Sequence, residues 1–425
     1  MTNATRADTR TTAAPPRPGP HPATPTRHPA VPWEEARETA RESAGHPLPA
    51  VSRALPDALG HVLAEPLTAL TDLPPFDTSA MDGWAVCGPG PWRLLAGRTV
   101  LAGVRPEPLP DGTAVPIATG AQLPCGATAV LRREHGGPHP ADGLLHHLAP
   151  DPLPLRRDVR PRGQECRCGE PLLPAGTAVT PAVLGLAAAA GYDTLAVHRR
   201  PTVELLVLGD ELLDSGRPAD GRIRDALGPL LPPWLRAVGA DVIAVRRVAD
   251  DLTALCEAIR SSPATVLVTT GSTAAGPVDF LHRALAEAGA TVRVGSVAVR
   301  PGHPMLLAEL PPATGAGRPR HLVGLPGNPL AAVAGTVTLA APLFERLGGR
   351  TDPPARLLHA ATDLPGHPHD TRLLPVRLTD GTVTPLTFSG PAMLRGLAGA
   401  DALAAVPPRG LPPGAPVEVL TVPDR

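Results

Sequence analysis

Residues 207–212 read Val-Leu-Gly-Asp-Glu-Leu, where an apolar run gives way to a glycine and two acidic residues. The same change occurs at two later places: Thr-Thr-Gly-Ser-Thr-Ala-Ala-Gly-Pro-Val-Asp at 269–279 and Gly-Leu-Pro-Gly-Asn-Pro at 324–329. Each stretch follows an apolar, β-branched run and precedes a helix-like run. Each therefore puts glycines and polar groups at the carboxyl end of a predicted strand. Because open α/β sheets bind ligands at that edge, the three turns predict a ligand site.

The residue types in these turns suit a phosphorylated ligand. Glycine allows backbone N–H groups to approach a phosphate closely, and the N-terminus of the following helix adds partial positive charge. Carboxylates beside such a turn are useful if Mg²⁺ bridges them to the phosphate, because carboxylate oxygens are hard ligands. The turns therefore favour a bound phosphate together with Mg²⁺.

The region from 201 to 346 alternates between predicted strands and predicted helices. The apolar runs predict strands near 202–208, 241–247, 264–270, 292–299 and 321–325, and helices near 226–238, 251–261, 278–289 and 330–346. Such alternation is typical of a doubly wound parallel sheet. We therefore expect a central α/β domain over residues 201–348.

The flanking regions predict smaller units, since a chain of 425 residues is too long for one ordinary core. Residues 1–30 are rich in Pro, Thr, Ala and Arg and predict a disordered tail. Residues 31–69 and 151–200 predict a linking domain, with helices that start at Pro32, run near 55–63 and cover 181–190. Short apolar runs broken by Gly and Pro predict a small inserted β domain over 70–150 and a β barrel over 349–425.

Composition excludes several chemistries. All 39 cationic residues are arginine, so neither a Schiff-base lysine nor a P-loop lysine is available. A formal net charge of −1 argues against nucleic acid or an anionic membrane as a general partner, and the apolar run 182–190 is too short to span a bilayer. The five cysteines are scattered, which favours reduced thiols in a cytoplasmic protein.

Five motifs, in their order and spacing, resemble those of the molybdopterin molybdenumtransferases. They are Pro74-Pro75-Phe76-Asp77-Thr78-Ser79-Ala80-Met81-Asp82-Gly83-Trp84, Gly209-Asp210-Glu211-Leu212, Thr270-Gly271 to Asp279, Pro301-Gly302-His303-Pro304 and Leu325-Pro326-Gly327-Asn328-Pro329. Each motif is common by itself, and the first is equally compatible with Asx and ST turns that cap a strand. The resemblance covers residues 32–423.

The resemblance implies an architecture, an assembly and a reaction. The family is an elongated homodimer of four domains, and its active cleft lies between the α/β domain of one subunit and the inserted β domain of the other. Its members insert molybdenum into adenylylated molybdopterin in the last step of molybdenum cofactor synthesis. The resemblance therefore implies adenylylated molybdopterin and molybdate as partners, AMP as a product and Mg²⁺ as cofactor.

The resemblance also implies roles for individual residues. The expected catalytic carboxylates are Asp82, Glu211, Asp250 and Asp279, of which Glu211 and Asp279 would hold the metal ion. Thr119 would join Asp82 as the inserted domain's contribution to the cleft. The other expected substrate contacts lie in the turns, after the strand that ends at Arg300 and on the barrel: Gly209, Asp210, Gly271, Ser272, Gly276, Arg300, His303, Pro326, Gly327, Asn328, Arg372 and Ser389.

Some positions depart from the family pattern. Leu208 replaces a usual threonine, Ser272 replaces a glycine, Leu227 replaces an amide side chain, and His303 stands where relatives often carry lysine. Histidine, unlike lysine, gains and loses its charge in the physiological pH range. The carboxylates expected to hold Mg²⁺ are all present.

The sequence leaves several alternatives open. Asp250 is equally compatible with the N-cap of the next helix. Arg300 alone would suffice for an anion if His303 were a solvated turn residue. For the whole chain, the altered turns are compatible with a noncatalytic scaffold of the same fold, and the α/β domain taken alone is compatible with a molybdopterin adenylyltransferase.

Overall fold

The computed structural model describes residues 30–273, 280–313, 317–351 and 354–423. Almost all of the predicted tail, as well as Gly276 and Asp279, lies outside the described residues. The described helices are α1 (Trp33–Ala44), α2 (Pro181–Ala189), α3 (Leu227–Ala237), α4 (Leu252–Ser261), α5 (Leu281–Glu287), α6 (Pro329–Gly335), α7 (Ala341–Leu347) and α8 (Arg395–Gly399).

The segment after α1 contains strands β1 (Ala50–Ala54) and β2 (Leu67–Thr68). The predicted helix near 55–63 is wrong, because only a 3₁₀ turn forms, over Leu55–Ala58. The turn ends at Leu59, which has ψ 130°, and Gly60 follows in the left-handed region with φ 74°, so a right-handed helix cannot continue. Val62 and Leu63 then join β-bridges instead.

The region between β2 and residue 150 consists of short strands. They are β3 (Thr78–Ser79), β4 (Gly83–Val86), β5 (Arg93–Leu94), β6 (Thr113–Ile117), β7 (Ala129–Arg132), β8 (Gly136–Pro138) and β9 (Leu145–His147). Four of them form a sheet in the order β5-β6-β4-β7, and β8 and β9 form a separate hairpin. Two small apolar clusters cover the two faces of the four-stranded sheet.

The chain then returns to the segment it left. Strand β10 (Val159–Arg160) pairs with β3, β11 (Pro171–Leu173) pairs with β2, and β12 (Thr194–His198) pairs with β1 along all five residues. The side chain of Thr180 caps α2 by accepting a hydrogen bond from Val183, as expected for an N-cap residue. Both ends of the short-strand region are thus held by antiparallel pairing.

The described part of the central domain contains nine strands. They are β13 (Thr202–Leu208), β14 (Leu212–Leu213), β15 (Ile223–Arg224), β16 (Asp241–Val248), β17 (Val266–Thr270), β18 (Thr291–Val294), β19 (Val299–Arg300), β20 (Leu306–Leu310) and β21 (Arg320–Leu325). Six of them form one sheet in the order β16-β13-β17-β21-β20-β18. The first four are parallel and β20 and β18 are antiparallel.

The doubly wound α/β fold is confirmed, with one change at the edge of the sheet. The predicted strand near 292–299 is two separate pieces, β18 and β19, and the unpredicted strand β20 extends the sheet as an antiparallel neighbour of β21. Apolar clusters cover both faces of the sheet, one with α1, α3, α6 and α7 and the other with α4 and α5.

The longest apolar helical run is Pro329–Leu347, which consists of α6, a π-helical turn over Thr336–Ala340, and α7. By length and composition this run could cross a membrane, and it is much longer than the apolar run at 182–190. However, 83% of its most apolar window is buried inside the protein. It is a core helix against the central sheet.

The predicted C-terminal barrel is confirmed. Its strands are β22 (Leu357–Ala360), β23 (Thr371–Thr379), β24 (Thr382–Pro385), β25 (Ala402–Val406) and β26 (Pro416–Thr421). The ring closes because β23 pairs with both β24 and β25. Strand β19 adds to the outer edge of β23, which connects the barrel to the central domain.

Candidate active site

The three glycine-containing turns meet at the carboxyl edge of the parallel strands. The N–H of Gly271 donates to the carbonyl of Leu325 at 2.8 Å. A side chain at Gly327 would come 3.6 Å from Cα of Gly271, and one at Gly271 would come 3.7 Å from the carbonyl oxygen of Leu208. The sequence therefore predicted correctly that these turns are neighbours.

Glu211 lies directly over the first turn. A Cβ at Gly209 would come 2.9 and 3.0 Å from the two carboxylate oxygens of Glu211, and Gly209 has φ 125°. The glycine thus permits both the backbone conformation and the position of the carboxylate. Glu211 is exposed, so its oxygens are accessible to a ligand.

An arginine that the sequence analysis did not select holds this turn. Arg247, at the end of β16, donates to the carbonyl of Gly209 at 3.2 Å and to that of Leu212, and pairs with Asp214 at 2.5 Å. Hydrogen bonds to several carbonyls restrict the loop that carries Glu211. The sequence contains a signal for this residue, since Arg247 lies at the end of the strand predicted near 241–247, next to the strand that leads to Gly209.

Asp250 contacts the same turn from the neighbouring strand. Its Oδ2 accepts a hydrogen bond from the N–H of Asp210 at 3.2 Å. The N-cap alternative for Asp250 is wrong, because Asp251 caps α4 by accepting from Ala254 at 2.8 Å. Asp250 therefore remains available as a carboxylate at the site edge.

The departures from the family pattern have distinct structural settings. Ser272 has φ 52°, in the left-handed region, where a residue with a Cβ is more strained than glycine. Leu208 and Leu227 are 6% and 5% exposed and pack into the two core clusters on opposite faces of the sheet. Their side chains face the cores, and neither offers a polar group to a ligand.

Asp82 and Thr119 form a pair in the short-strand region. Oδ1 of Asp82 accepts from the N–H of Thr119 at 2.8 Å and from its hydroxyl at 3.0 Å. These two hydrogen bonds and the charge of Arg133 lower the pKa of Asp82, because they stabilise the ionised form. Both residues are exposed, so the pair presents a carboxylate to solvent.

Arg300, Arg372 and Ser389 come together where β19 meets the barrel. Arg300 and Arg372 are cross-strand partners, and Arg372 donates to the hydroxyl of Ser389 at 3.4 Å. Asp370, which the sequence analysis missed, pairs with Arg300 at 2.8 Å. The two guanidinium groups form a cationic edge that the Asp370 carboxylate partly neutralises.

His303 follows this cationic edge after the turn at Pro301 and Gly302. Its Nδ1 is buried and has no hydrogen-bond partner among the described residues, which is costly for a polar atom. Gly302 fits tightly against α6, since a Cβ there would come 3.1 Å from the carbonyl oxygen of Ala331. Because this nitrogen is enclosed by protein, His303 as placed here offers no accessible Nδ1 to a bound anion.

The Pro326-Gly327-Asn328 turn leads into α6. Gly327 and Asn328 are exposed and Pro326 is buried. Asn328 is the N-cap residue, but its side chain makes no capping bond. Instead, Leu330 and Ala331 donate to the carbonyl of Pro391 at 2.9 and 3.3 Å. The loop that contains Ser389 thus reaches the start of α6 and brings the barrel to the site.

The structure leaves part of the predicted metal set undescribed. Glu211 is placed, whereas Asp279 lies outside the described residues, as does Gly276. Within the described ranges, the only three His, Cys, Asp or Glu side chains whose ligand atoms converge lie elsewhere, in the β8–β9 hairpin. Asp82 and Thr119 contact each other, and their described hydrogen bonds do not reach the turn at 209–211.

The chain is a multidomain α/β protein. It has a mixed parallel and antiparallel sheet covered by helices, an inserted short-strand region and a closed barrel. Its candidate site lies at the carboxyl edge of the central sheet. Three sequence families match in succession: the MoeA N-terminal region (domain I and II) over residues 31–191, a probable molybdopterin binding domain over 204–346, and the MoeA C-terminal region (domain IV) over 358–422. The chain belongs to the molybdopterin molybdenumtransferase family.

Individual relatives agree with this assignment. The chain is 34% identical to the molybdopterin molybdenumtransferase of Synechococcus elongatus over 295 residues, which cover 65% of this chain and 70% of that protein. It is 27% identical to the Staphylococcus aureus enzyme of the same name over 393 residues, or 88% and 91% of the two chains. A molybdopterin biosynthesis MoeA protein from Pyrococcus horikoshii superposes with a TM-score of 0.71 at 26% identity, covering 92% of this chain and 99% of that one.

Proposed function

We propose that this chain inserts molybdenum from molybdate into adenylylated molybdopterin and releases AMP. The observation that carries the proposal is the meeting of three glycine-containing turns with Glu211 and Asp250 at one sheet edge. Such an edge accommodates a phosphorylated ligand, and the family relatives carry the name of this reaction.

Some groups of the chain would bind the ligand, and others would attract the anion or accept a proton. Backbone N–H groups of the turns at Gly209 and Gly327 would bind the pyrophosphate oxygens, whereas the N–H of Gly271 already donates to Leu325. Arg300, Arg372 and the ring of His303 would attract molybdate, which is itself an anion. Glu211 and Asp250, both at the turn after β13, would be the groups that accept a proton.

The exposed carboxylate of Glu211 supports a Mg²⁺ site at this turn. Glu211 offers exposed carboxylate oxygens at the edge of the turn, which is the kind of ligand Mg²⁺ prefers, and Asp279 would be the second carboxylate. When bound, Mg²⁺ supplies charge neutralisation at the phosphates. Arg247 would keep Glu211 in place for this purpose by holding the turn.

The proposal includes a homodimer and a cytoplasmic location. The described hydrogen bonds of Asp82 and Thr119 stay within their own region, so these residues are free to complete the cleft of a second subunit, as the family architecture implies. All five cysteines are unpaired, as is usual in a reducing compartment.

The direct test is release of AMP from adenylylated molybdopterin. We expect stoichiometric AMP only when both molybdate and Mg²⁺ are present, with omission of each as the matched control. A folded protein that released no AMP would contradict the assignment and favour the noncatalytic scaffold. Formation of adenylylated molybdopterin from ATP would favour the adenylyltransferase instead.

A further inference from the structure

The β8–β9 hairpin carries three metal-ligating side chains that the proposed reaction does not use. They are His139, Asp142 and His146, and one ligand atom from each lies within 4.8 Å of the other two. Among the residues that the structure describes, no other three His, Cys, Asp or Glu side chains are arranged in this way. The spacing places one histidine before the hairpin turn, the acid within it and the other histidine after it.

The hairpin backbone fixes the positions of these three residues. His139 donates its N–H to the carbonyl of Leu144 at 2.8 Å, and Gly143 donates back to the carbonyl of His139 at 2.8 Å. Leu145 is fully buried and exchanges two backbone hydrogen bonds with Trp92, at 3.0 and 2.8 Å. The hairpin is therefore attached to the core immediately beside His146, and a site built on such a rigid element needs little rearrangement to bind.

The side chains themselves are already close to one another. Nε2 of His146 lies 2.9 Å from Oδ2 of Asp142, and Nδ1 of His139 lies 3.9 Å from Oδ1. The two imidazole rings have centroids 4.9 Å apart and are tilted by 39°. Asp142 is held by the N–H of Leu144 at 2.9 Å, and this bond, followed by the contacts with the two histidines, lowers the pKa of Asp142.

These separations match the size of a metal centre. Metal–nitrogen and metal–oxygen bonds to zinc are about 2.0–2.2 Å, so two ligand atoms at a tetrahedral centre lie about 3.4 Å apart. The observed contacts of 2.9 and 3.9 Å lie on either side of that value. The two contacts use different oxygens of Asp142, and all three ligand atoms lie within 4.8 Å of one another, so metal binding requires the side chains to rotate toward a common centre.

We propose that His139, Asp142 and His146 bind one divalent transition-metal ion, of which Zn²⁺ is the representative case. Two imidazoles and a carboxylate favour Zn²⁺, Co²⁺, Ni²⁺ or Cu²⁺ over Mg²⁺, which prefers oxygen ligands alone. The site is separate from the sheet edge that holds Glu211. Water completes the coordination, because His139 and Asp142 are exposed.

The same hairpin provides a matched control. His135 and His147 also approach each other, but their ring centroids are 6.5 Å apart, and they belong to no converging group of three among the described residues. A His147→Ala variant therefore removes a neighbouring imidazole without touching the proposed site. Asp142→Asn is the mildest site variant, since an amide oxygen can still accept the hydrogen bond from Leu144.

The test is Co²⁺ titration of the full-length, untagged and chelator-treated protein, followed by visible absorption and calorimetry with Mg²⁺ in excess. We expect one tight Co²⁺ per chain, and Zn²⁺ should displace it and raise Tm, because an ion that binds only the folded state stabilises it. We expect the Kd for Co²⁺ to rise by at least about 10-fold in each of His139→Ala, Asp142→Asn and His146→Ala, since changes to residues that only support metal ligands already lower metal affinity by that factor.

His147→Ala should keep the wild-type Kd. Circular dichroism of each variant checks that the fold is unchanged. Wild-type affinity in any of the three site variants would overturn the three-ligand site, and so would an equal loss in His147→Ala. None of these outcomes depends on release of AMP, so the metal site and the proposed reaction fail or succeed separately.

Discussion

Asp250 accepts a hydrogen bond from the backbone N–H of Asp210 at 3.2 Å, although the two residues follow different strands of the central sheet. The parallel pairing of β13 with β16 brings the ends of these strands together. The carboxylate of Asp250, which follows β16, thus supports the turn after β13 that carries Glu211. Support of this kind keeps catalytic groups within a narrow range of positions.

Asp250→Asn should lower turnover by roughly 10-fold to 10²-fold, because it keeps an acceptor for Asp210 but removes a charge at the site. Asp251→Ala is the matched control, since it removes the N-cap of α4. That control should cost about 1 kcal/mol of stability and leave turnover near the wild-type value. AMP release and thermal unfolding of both variants provide the measurement. Similar turnover losses in the two variants would mean that Asp250 acts only through local structure.

Glu211→Gln should slow turnover by about 10²-fold or more, because it removes a preorganised charge while preserving shape. The loss should be greatest at limiting Mg²⁺, and the Mg²⁺ concentration for half-maximal rate should rise. Asp214→Asn removes a nearby acid that follows β14 and pairs with Arg247, and it should change the rate much less. Rates of AMP release over a Mg²⁺ series check this. A Glu211→Gln enzyme with the wild-type Mg²⁺ dependence would exclude Glu211 as a metal ligand.

Thr119→Val should move the acid limb of the pH–rate profile to higher pH. Hydrogen bonds from Thr119 lower the pKa of Asp82, so activity that needs this carboxylate is present above that pKa and is lost as pH falls through it. Removal of the hydroxyl raises the pKa and brings the loss to a higher pH. At pH ~8 the rate should change by less than about 10-fold, as expected for one hydrogen bond.

Thr128→Val is the control for this profile. Its hydroxyl donates to the carbonyl of Val86 at 3.1 Å in the same short-strand region, away from Asp82. The profile of that variant should superimpose on the wild type. An unshifted acid limb in Thr119→Val would show that Asp82 does not control it.

Mixed subunits should restore activity if the cleft is shared. Asp82→Asn and Glu211→Gln homodimers should each be nearly inactive, whereas a mixed dimer carries both changes in one cleft and neither in the other. After random exchange, activity should recover to roughly a quarter of the wild-type value, as a C₂ dimer predicts. Light scattering checks whether the protein is a dimer, and AMP release measures recovery. No recovery after demonstrated exchange would place Asp82 and Glu211 in the cleft of the same subunit.

Because His321 is buried, we expect the free energy of unfolding to decrease in mild acid. It is 1% exposed, its Nε2 bonds the carbonyl of Ser43 at 2.9 Å, and burial lowers its pKa. Below pH ~6.5 the unfolded chain takes up a proton that the folded chain does not. The contribution of the neutral, buried His321 to the free energy of unfolding is therefore fully present above that pH. It decreases below that pH by at most about 1.4 kcal/mol per pH unit.

The variant His321→Gln removes this titration while keeping a donor for Ser43. Its Tm should be lower than that of the wild type near pH ~7.5 but should vary less between pH ~6.5 and ~5. Thermal unfolding at a series of pH values gives both curves. Parallel curves would assign the acid sensitivity to other groups.

Local patterns predicted the central sheet well and failed where two patterns compete. Strand β13 ends where expected, because an apolar run meets Gly209. Leu55, Leu59 and Leu63 have helical spacing, yet Gly60 adopts φ 74° and only a short 3₁₀ turn forms. Strand β20 escaped prediction because prolines bound its apolar run on both sides, which resembles a loop in the sequence.

The candidate site was predictable only in so far as its signals are local. Gly271 and Gly327 follow strands, so their meeting follows from a parallel sheet. The contact between Arg300 and Asp370 joins residues 70 positions apart, and that between Arg247 and Asp214 spans 33. No short-range pattern specifies such pairs, because they depend on how whole domains pack.

One consequence concerns how the site would respond to salt. A helix N-terminus ordinarily attracts anions through its free N–H groups, but the carbonyl of Pro391 already accepts from Leu330 and Ala331. A larger share of the attraction for an incoming anion therefore falls to the arginines at the barrel edge, the exposed Arg300 and the half-buried Arg372. Attraction by exposed charges is screened over about 10 Å at ~0.1 M salt. Substrate capture should consequently weaken as ionic strength rises, even under conditions in which the central sheet and its helices remain unchanged.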